Sequence, residues 1–147
     1  MTKHEAIAME LHRQGYSCSQ AVLAAFSDVV GIDRETLLRL AAGFGGGIAD
    51  MRDVCGAVSA MVMAADLLYA RGAPDGNQRA EEDYPRLRAL ADGFRQANGS
   101  IVCRELLGMD GAKRARPAGK ICHDMVADAA RLLDRYLEAH PARTAGE

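Results

Sequence analysis

The stretch Val54-Cys55-Gly56-Ala57-Val58-Ser59-Ala60-Met61-Val62-Met63-Ala64-Ala65-Asp66-Leu67-Leu68-Tyr69 decides the fold. Alanine, methionine and leucine dominate it, and its apolar residues do not alternate as they would in a half-buried strand. Cys55, Val58, Ser59, Val62, Ala65 and Tyr69 fall on one helical face, with Met61 and Leu68 beside them. Asp53 is the expected N-cap, and the helix is expected to run to about Arg71.

Working towards the N-terminus, the run Ala42-Gly43-Phe44-Gly45-Gly46-Gly47 breaks a short helix that Asp33 caps and Leu37, Leu38, Leu40 and Ala41 line. Before it, Ser17 caps a helix whose stripe is Cys18, Val22, Ala25, Phe26 and Val29. A first helix from about Lys3 to Gln14 carries only a modest stripe, Ala6, Met9 and Leu11, and stops at Gly15.

Towards the C-terminus, Gly72-Ala73-Pro74-Asp75-Gly76-Asn77 is turn chemistry, followed by a polar loop to about Asp83. A helix from Pro85 to Ala97 turns Leu87, Leu90, Ala91 and Phe94 inward, and Ser100 is a candidate cap for the segment that opens at Cys103. After the basic loop Lys113-Arg114-Ala115-Arg116-Pro117, a last helix buries Cys122, Met125, Val126, Ala129, Leu132, Leu133 and Tyr136 and ends near His140-Pro141. The reading is an all-α, single-domain bundle of five to six helices over residues 1–141, with a glycine-rich turn before its central helix and a flexible tail over residues 142–147.

Composition narrows the function classes. With 147 residues, 49% of them hydrophobic, the chain can bury a core without disulfide staples. A formal charge of -2 and a pI near 6.1 give no electrostatic case for nucleic acid or an anionic membrane. The opening Met1-Thr2-Lys3-His4-Glu5 runs into charge and alanine, with no apolar stretch for a signal peptide or membrane insertion, so a cytoplasmic location is expected. In that compartment thiols are kept reduced, and cysteines are buried, metal-bound or redox-active.

Four cysteines stand singly at Cys18, Cys55, Cys103 and Cys122, each beside an expected helix start. None forms a local Cys-x-x-Cys pair, so any joint site must be assembled by the fold. A helix N-terminus offers unpaired N–H groups and about half a positive charge, which stabilise a thiolate. If the four helix starts meet, the thiolates can exchange disulfides, or hold zinc or an iron-sulfur cluster. Inert packing is the competing reading, because free cysteine behaves as a small hydrophobe and all four extend apolar stripes.

Five anchors occur in order: Tyr16-Ser17-Cys18-Ser19-Gln20-Ala21-Val22, Gly43-Phe44-Gly45-Gly46-Gly47, Val54-Cys55-Gly56-Ala57-Val58-Ser59, Cys103-Arg104-Glu105-Leu106-Leu107-Gly108 and a late Cys122. Together they resemble the redox-active protein family named for its C_GCAxxG_C_C cysteine pattern. The resemblance implies a small, mainly helical protein whose four cysteines are its defining feature. One position departs: the motif closes with glycine in the family, and Ala60 stands there in this chain.

The functional expectation is a thiol oxidoreductase or redox protein whose Cys18, Cys55, Cys103 and Cys122 form one site of reversible thiol/disulfide chemistry. Its expected partner is a redox protein or a small thiol or disulfide. The alternatives are an iron-sulfur or zinc electron-transfer module using the same four cysteines, and a helical interaction protein, with a homodimer compatible with either. Gly45, Gly46 and Gly47 are candidate cofactor-binding residues, because a glycine-rich turn can present a nest of amides to an anion or thiolate. A chain reversal explains them as well. No Lys-Ser or Lys-Thr follows them, which excludes a P-loop.

His123 adjoins Cys122 and is a candidate ligand or proton shuttle, while solvated roles are expected for His4, His12 and His140. Arg104 and Glu105 can act on the neighbouring Cys103 or form an exposed pair. Lys113, Arg114 and Arg116 read as a solvated loop, and Met61 and Met63 as core filler.

Overall fold

A computed structural model of the chain describes residues 1–143. The helices in chain order are α1 (Lys3–Arg13), α2 (Cys18–Ala25), α3 (Ser27–Val30), α4 (Arg34–Ala41), α5 (Gly56–Tyr69), α6 (Gly76–Gln78), α7 (Tyr84–Asn98), α8 (Cys103–Leu107) and α9 (Cys122–Ala139). The fold is all-α, and among the described residues six of these helices have eight residues or more. Part of the expected flexible tail, residues 144–147, lies outside the described residues. Arg143 donates its amide to the Leu68 carbonyl at 2.9 Å.

Helix α2 is the axle of the bundle. Every residue from Ala21 to Phe26 is buried, the signature of a helix enclosed on all sides rather than laid on a surface. It packs against α1, α4, α5 and α9, while α1 lies along α9 and α5 touches α7 and α9. Phe26, Leu23, Met61, Phe94, Val126 and Leu133 fill the centre, each burial worth about 1.5–3 kcal/mol.

Local chemistry sets the helix starts. Ser17 accepts from the Gln20 amide while the Gln20 side chain accepts from the Ser17 amide at 3.1 Å, a reciprocal cap that fixes the entry to α2. Asp33 caps α4 by accepting from the Thr36 amide at 2.9 Å. The expected continuation of α2 to Val29 is interrupted at Phe26, after which the short α3 leaves Val29 exposed.

Two expectations require correction. Asp53 does not cap α5; Cys55 is its N-cap, because the backbone around Val54 pairs antiparallel with Val102. In that pairing Cys55 donates its amide to Ile101 at 2.8 Å, and Cys103 and Arg104 donate theirs to Asp53 and Arg52. The segment expected as a loop to Asp83 instead holds α6 and a wide, π-type turn over residues 79–83 that leads straight into α7.

Candidate thiol redox site

Each cysteine sits where a helix begins. Cys18, Cys103 and Cys122 are the first residues of α2, α8 and α9, and Cys55 is the N-cap of α5. All four thiols are free. The Val54–Val102 pairing draws the starts of α5 and α8 together, and the packing of α2 against α5 and α9 supplies the other two.

Cys18 and Cys122 stand near enough to shift one another's ionisation in opposite directions. The neighbouring Cys18 thiol is the main reason the Cys122 thiol is pulled down to about 6, against burial and with help from the Arg116 and Arg52 guanidinium groups. The proximity of Cys122 in turn pushes Cys18 strongly upward, reinforced by burial and by the charges of Cys55 and Cys122. The two titrate as a unit, with the negative charge favoured on Cys122, which the Arg116 guanidinium faces.

Cys55 is only 4% exposed, and burial pushes its thiol up to about 11. The amides of Ala57 and Val58 oppose that rise, while the charges of Cys103 and Cys122 add to it. Charge interactions thus link Cys18 with Cys55 and Cys122, and Cys55 with Cys103 and Cys122. Among the described residues, no group of three or more His, Cys, Asp or Glu side chains is arranged to hold a metal ion.

Two arginines complete the site. Arg52 Nη1 donates to Cys103 Sγ at 3.7 Å, while its Nη2 pairs with Asp50 at 2.7 Å. Arg116 Nη1 donates to Cys122 Sγ at 3.8 Å. The loop carrying Arg116 is docked by the Ala115 amide on the Glu105 carbonyl and by Arg114 on the Lys120 carbonyl, so it is no free solvated loop. Lys120 then reaches the Asn98 side chain at 2.8 Å and pairs with Asp128, tying the end of α7 to α9.

Arg52 owes its position to an unusual loop. Gly46 and Gly47 have φ of 64° and 71°, and the left-handed conformation continues through Ile48, Ala49 and Asp50 before returning at Arg52. The six amides from Ile48 to Asp53 all donate to carbonyls between Gly43 and Ile48. These donors are committed within the loop, and the geometry gives the glycines the task of admitting a left-handed turn. A side chain at Gly47 would stand 2.7 Å from the Asp53 nitrogen.

The remaining candidates separate cleanly. Arg104 turns from Cys103 to the Met51 carbonyl and Asp53, both at 3.1 Å, and Glu105 accepts from the Ser100 hydroxyl at 2.8 Å. His123 stacks on His12 with Nδ1 atoms 2.9 Å apart, and burial and then the His123 charge lower the His12 pKa. His4 is not solvated: it is 4% exposed, with Nδ1 at 2.6 Å from Asp134 and Nε2 at 2.8 Å from Asp28. Sequence reasoning passed over Arg52 and expected His4 to be solvated, since nothing in their local sequence reveals partners so distant along the chain.

Residues 16–136 match the family model described as "Putative redox-active protein (C_GCAxxG_C_C)". The chain belongs to this C_GCAxxG_C_C family. The match takes in all four cysteines, both arginines and the left-handed loop. Ala60, at the position of the family glycine, is fully buried within α5. No curated protein and no solved structure gives a significant match to the chain. Among the described residues, no helix is long and apolar enough to cross a membrane.

Proposed function

We propose that this C_GCAxxG_C_C protein is a cytoplasmic thiol redox protein in which Cys122 and Cys18 form and break one disulfide. The observation that carries the reading is the placement of Cys18 and Cys122 at two helix starts, with the Arg116 guanidinium 3.8 Å from the Cys122 sulfur and the two thiols shifting one another's ionisation in opposite directions. The Cys122 thiolate attacks one sulfur of an oxidised partner, a small disulfide or a redox protein. The partner's S–S bond breaks, a mixed disulfide forms, and the other partner sulfur leaves as a thiolate. Cys18 then gives up its proton and attacks the Cys122 sulfur, forming the Cys18–Cys122 bond and releasing the second partner thiolate. Two electrons pass from the cysteine pair to the partner, and the reverse sequence resets it.

Cys55 and Cys103 flank the pair and supply its electrostatic setting. In support, the attacking sulfur is a thiolate at neutral pH while the second thiol holds its proton until the first has reacted. The test is a thiol count and peptide mass analysis after treatment of the reduced protein with excess hydroxyethyl disulfide. A linked Cys18–Cys122 peptide is expected, abolished by Cys18→Ser or Cys122→Ser. Oxidation that leaves the thiol count unchanged, or that links other cysteines only, refutes the assignment.

A further inference from the structure

We infer that the Cys122 site reduces hydroperoxides, with Arg116 as the oxygen-binding catalytic residue and Cys18 as the resolving thiol. The inference rests on the thiol pair proposed above and names its oxidant.

Three observations point to a small, neutral, oxygen-containing oxidant. First, the group touching Cys122 Sγ is a guanidinium, whose N–H donors stabilise charge developing on oxygen far better than charge on a departing sulfur. Second, the Nε–H of the same guanidinium is buried without an acceptor among the described residues. An unmet donor of this kind costs about 1–3 kcal/mol, which an oxygen entering beside the sulfur relieves. Third, the positive charges around the thiols are matched: Arg52 by Asp50, Arg104 by Asp53 and Arg116 by the Cys122 sulfur. Neither guanidinium that touches a sulfur carries an unmatched charge, and a neutral hydroperoxide fits that balance.

The chemistry closes on the residues present. Cys122 sulfur attacks the terminal oxygen of R–O–O–H; the S–O bond forms, the O–O bond breaks, and RO⁻ leaves against the Arg116 fork. Sulfur is oxidised by two electrons and the peroxide is reduced. The product is a neutral sulfenic acid, so the charge that held the proton on Cys18 disappears. Cys18 gives its proton to RO⁻ and attacks the Cys122 sulfur. The S–O bond breaks, the disulfide forms, and hydroxide leaves to bulk solvent, carrying away the negative charge that the Cys122 thiolate brought. A small-molecule thiol regenerates the pair through two exchange steps.

The experiment compares two oxidants on reduced, desalted full-length protein: hydrogen peroxide and hydroxyethyl disulfide. With hydrogen peroxide the expected rate, compared at equal thiolate fraction, exceeds that of free cysteine by roughly a hundredfold, the scale of one well-placed oxyanion donor. Arg116→Met should remove most of that factor while slowing hydroxyethyl disulfide exchange roughly tenfold or less. In Cys18→Ser, a sulfenic acid at Cys122 should accumulate and be trapped by dimedone.

A wild-type peroxide rate no greater than that of free cysteine overturns the inference, even if hydroxyethyl disulfide still generates the Cys18–Cys122 bond. So does a peroxide rate indifferent to Arg116→Met in a variant with native far-UV dichroism. Absence of the Cys18–Cys122 disulfide with either oxidant instead overturns the thiol-pair function itself.

Discussion

The Cys122 thiolate makes stability depend on pH in a direction that can be worked out in advance. Its folded pKa, about 6, lies below the ordinary 9.0, so the unfolded chain binds more protons in that interval. Stability from this group is fully present above pH 9.0 and is lost as pH falls through about 6. The slope limit is about 1.4 kcal/mol per pH unit, or about 4 kcal/mol across the whole interval. Because the sulfur is only half-buried, solvent screening reduces that ceiling, and about 1–2 kcal/mol is the working expectation. Cys18 and Cys55 act oppositely, since their raised pKa values make stability fall above pH 9.0. The assay is urea unfolding under reductant for the parent and Cys122→Ser. The stability gap between the two should widen by about 1–2 kcal/mol between pH 6 and 9. Groups remote from Cys122 cancel in that difference, and Cys18, whose rise depends on Cys122, adds its own pH dependence only above pH 9.0. A gap that stays constant refutes the charge assignment, and iodoacetamide labelling of Cys122 with a midpoint near pH 9 would do the same.

Three further outcomes are expected. His4→Ala should lower stability by about 3 kcal/mol in urea unfolding, because it leaves the buried Asp134 carboxylate without its imidazole partner and removes the stack on Phe26. Gly56→Ala should cost about 1–3 kcal/mol, since the added carbon would stand 2.9 Å from the Phe44 carbonyl and 3.2 Å from the Ser19 amide nitrogen, with no flexible chain end to yield. Anaerobic purification followed by iron, sulfide and zinc analysis should give no stoichiometric metal; a stoichiometric iron-sulfide chromophore would instead favour a cluster held by the same sulfurs.

Helix boundaries set by a side chain acting on nearby backbone were legible in the sequence: Ser17 with Gln20 and Asp33 with Thr36 are both in place. Asp53 failed as a cap because its backbone is engaged by Cys103, a partner that no local rule names. The cysteines announced themselves by residue type and by position at helix starts. The arginines that act on them did not. Arg116 lay in a run read as a solvated loop, and Arg52 follows a left-handed segment whose residues carry no glycine beyond Gly47. His4 was misread for a related reason: its helix has a weak apolar stripe, and its burial comes from α3 and α9.

The loop from Gly46 to Arg52 has a consequence in time as well as in space. Ile48, Ala49, Asp50 and Arg52 are L residues held in the mirror-image hand, at about 1–2 kcal/mol each, so together they offset a sizeable part of a domain's ordinary 5–15 kcal/mol. Strain of this size lowers the cost of opening the segment below that of opening the bundle around it. The amides from Ile48 to Asp53 should therefore exchange with deuterium sooner than those of α2, despite being hydrogen-bonded. Each opening carries Arg52 away from Cys103. The protection of this one turn against exchange is thus a clock for how often the thiol site loses one of its two cations, and a D-alanine installed at position 49 by chemical ligation would slow that clock.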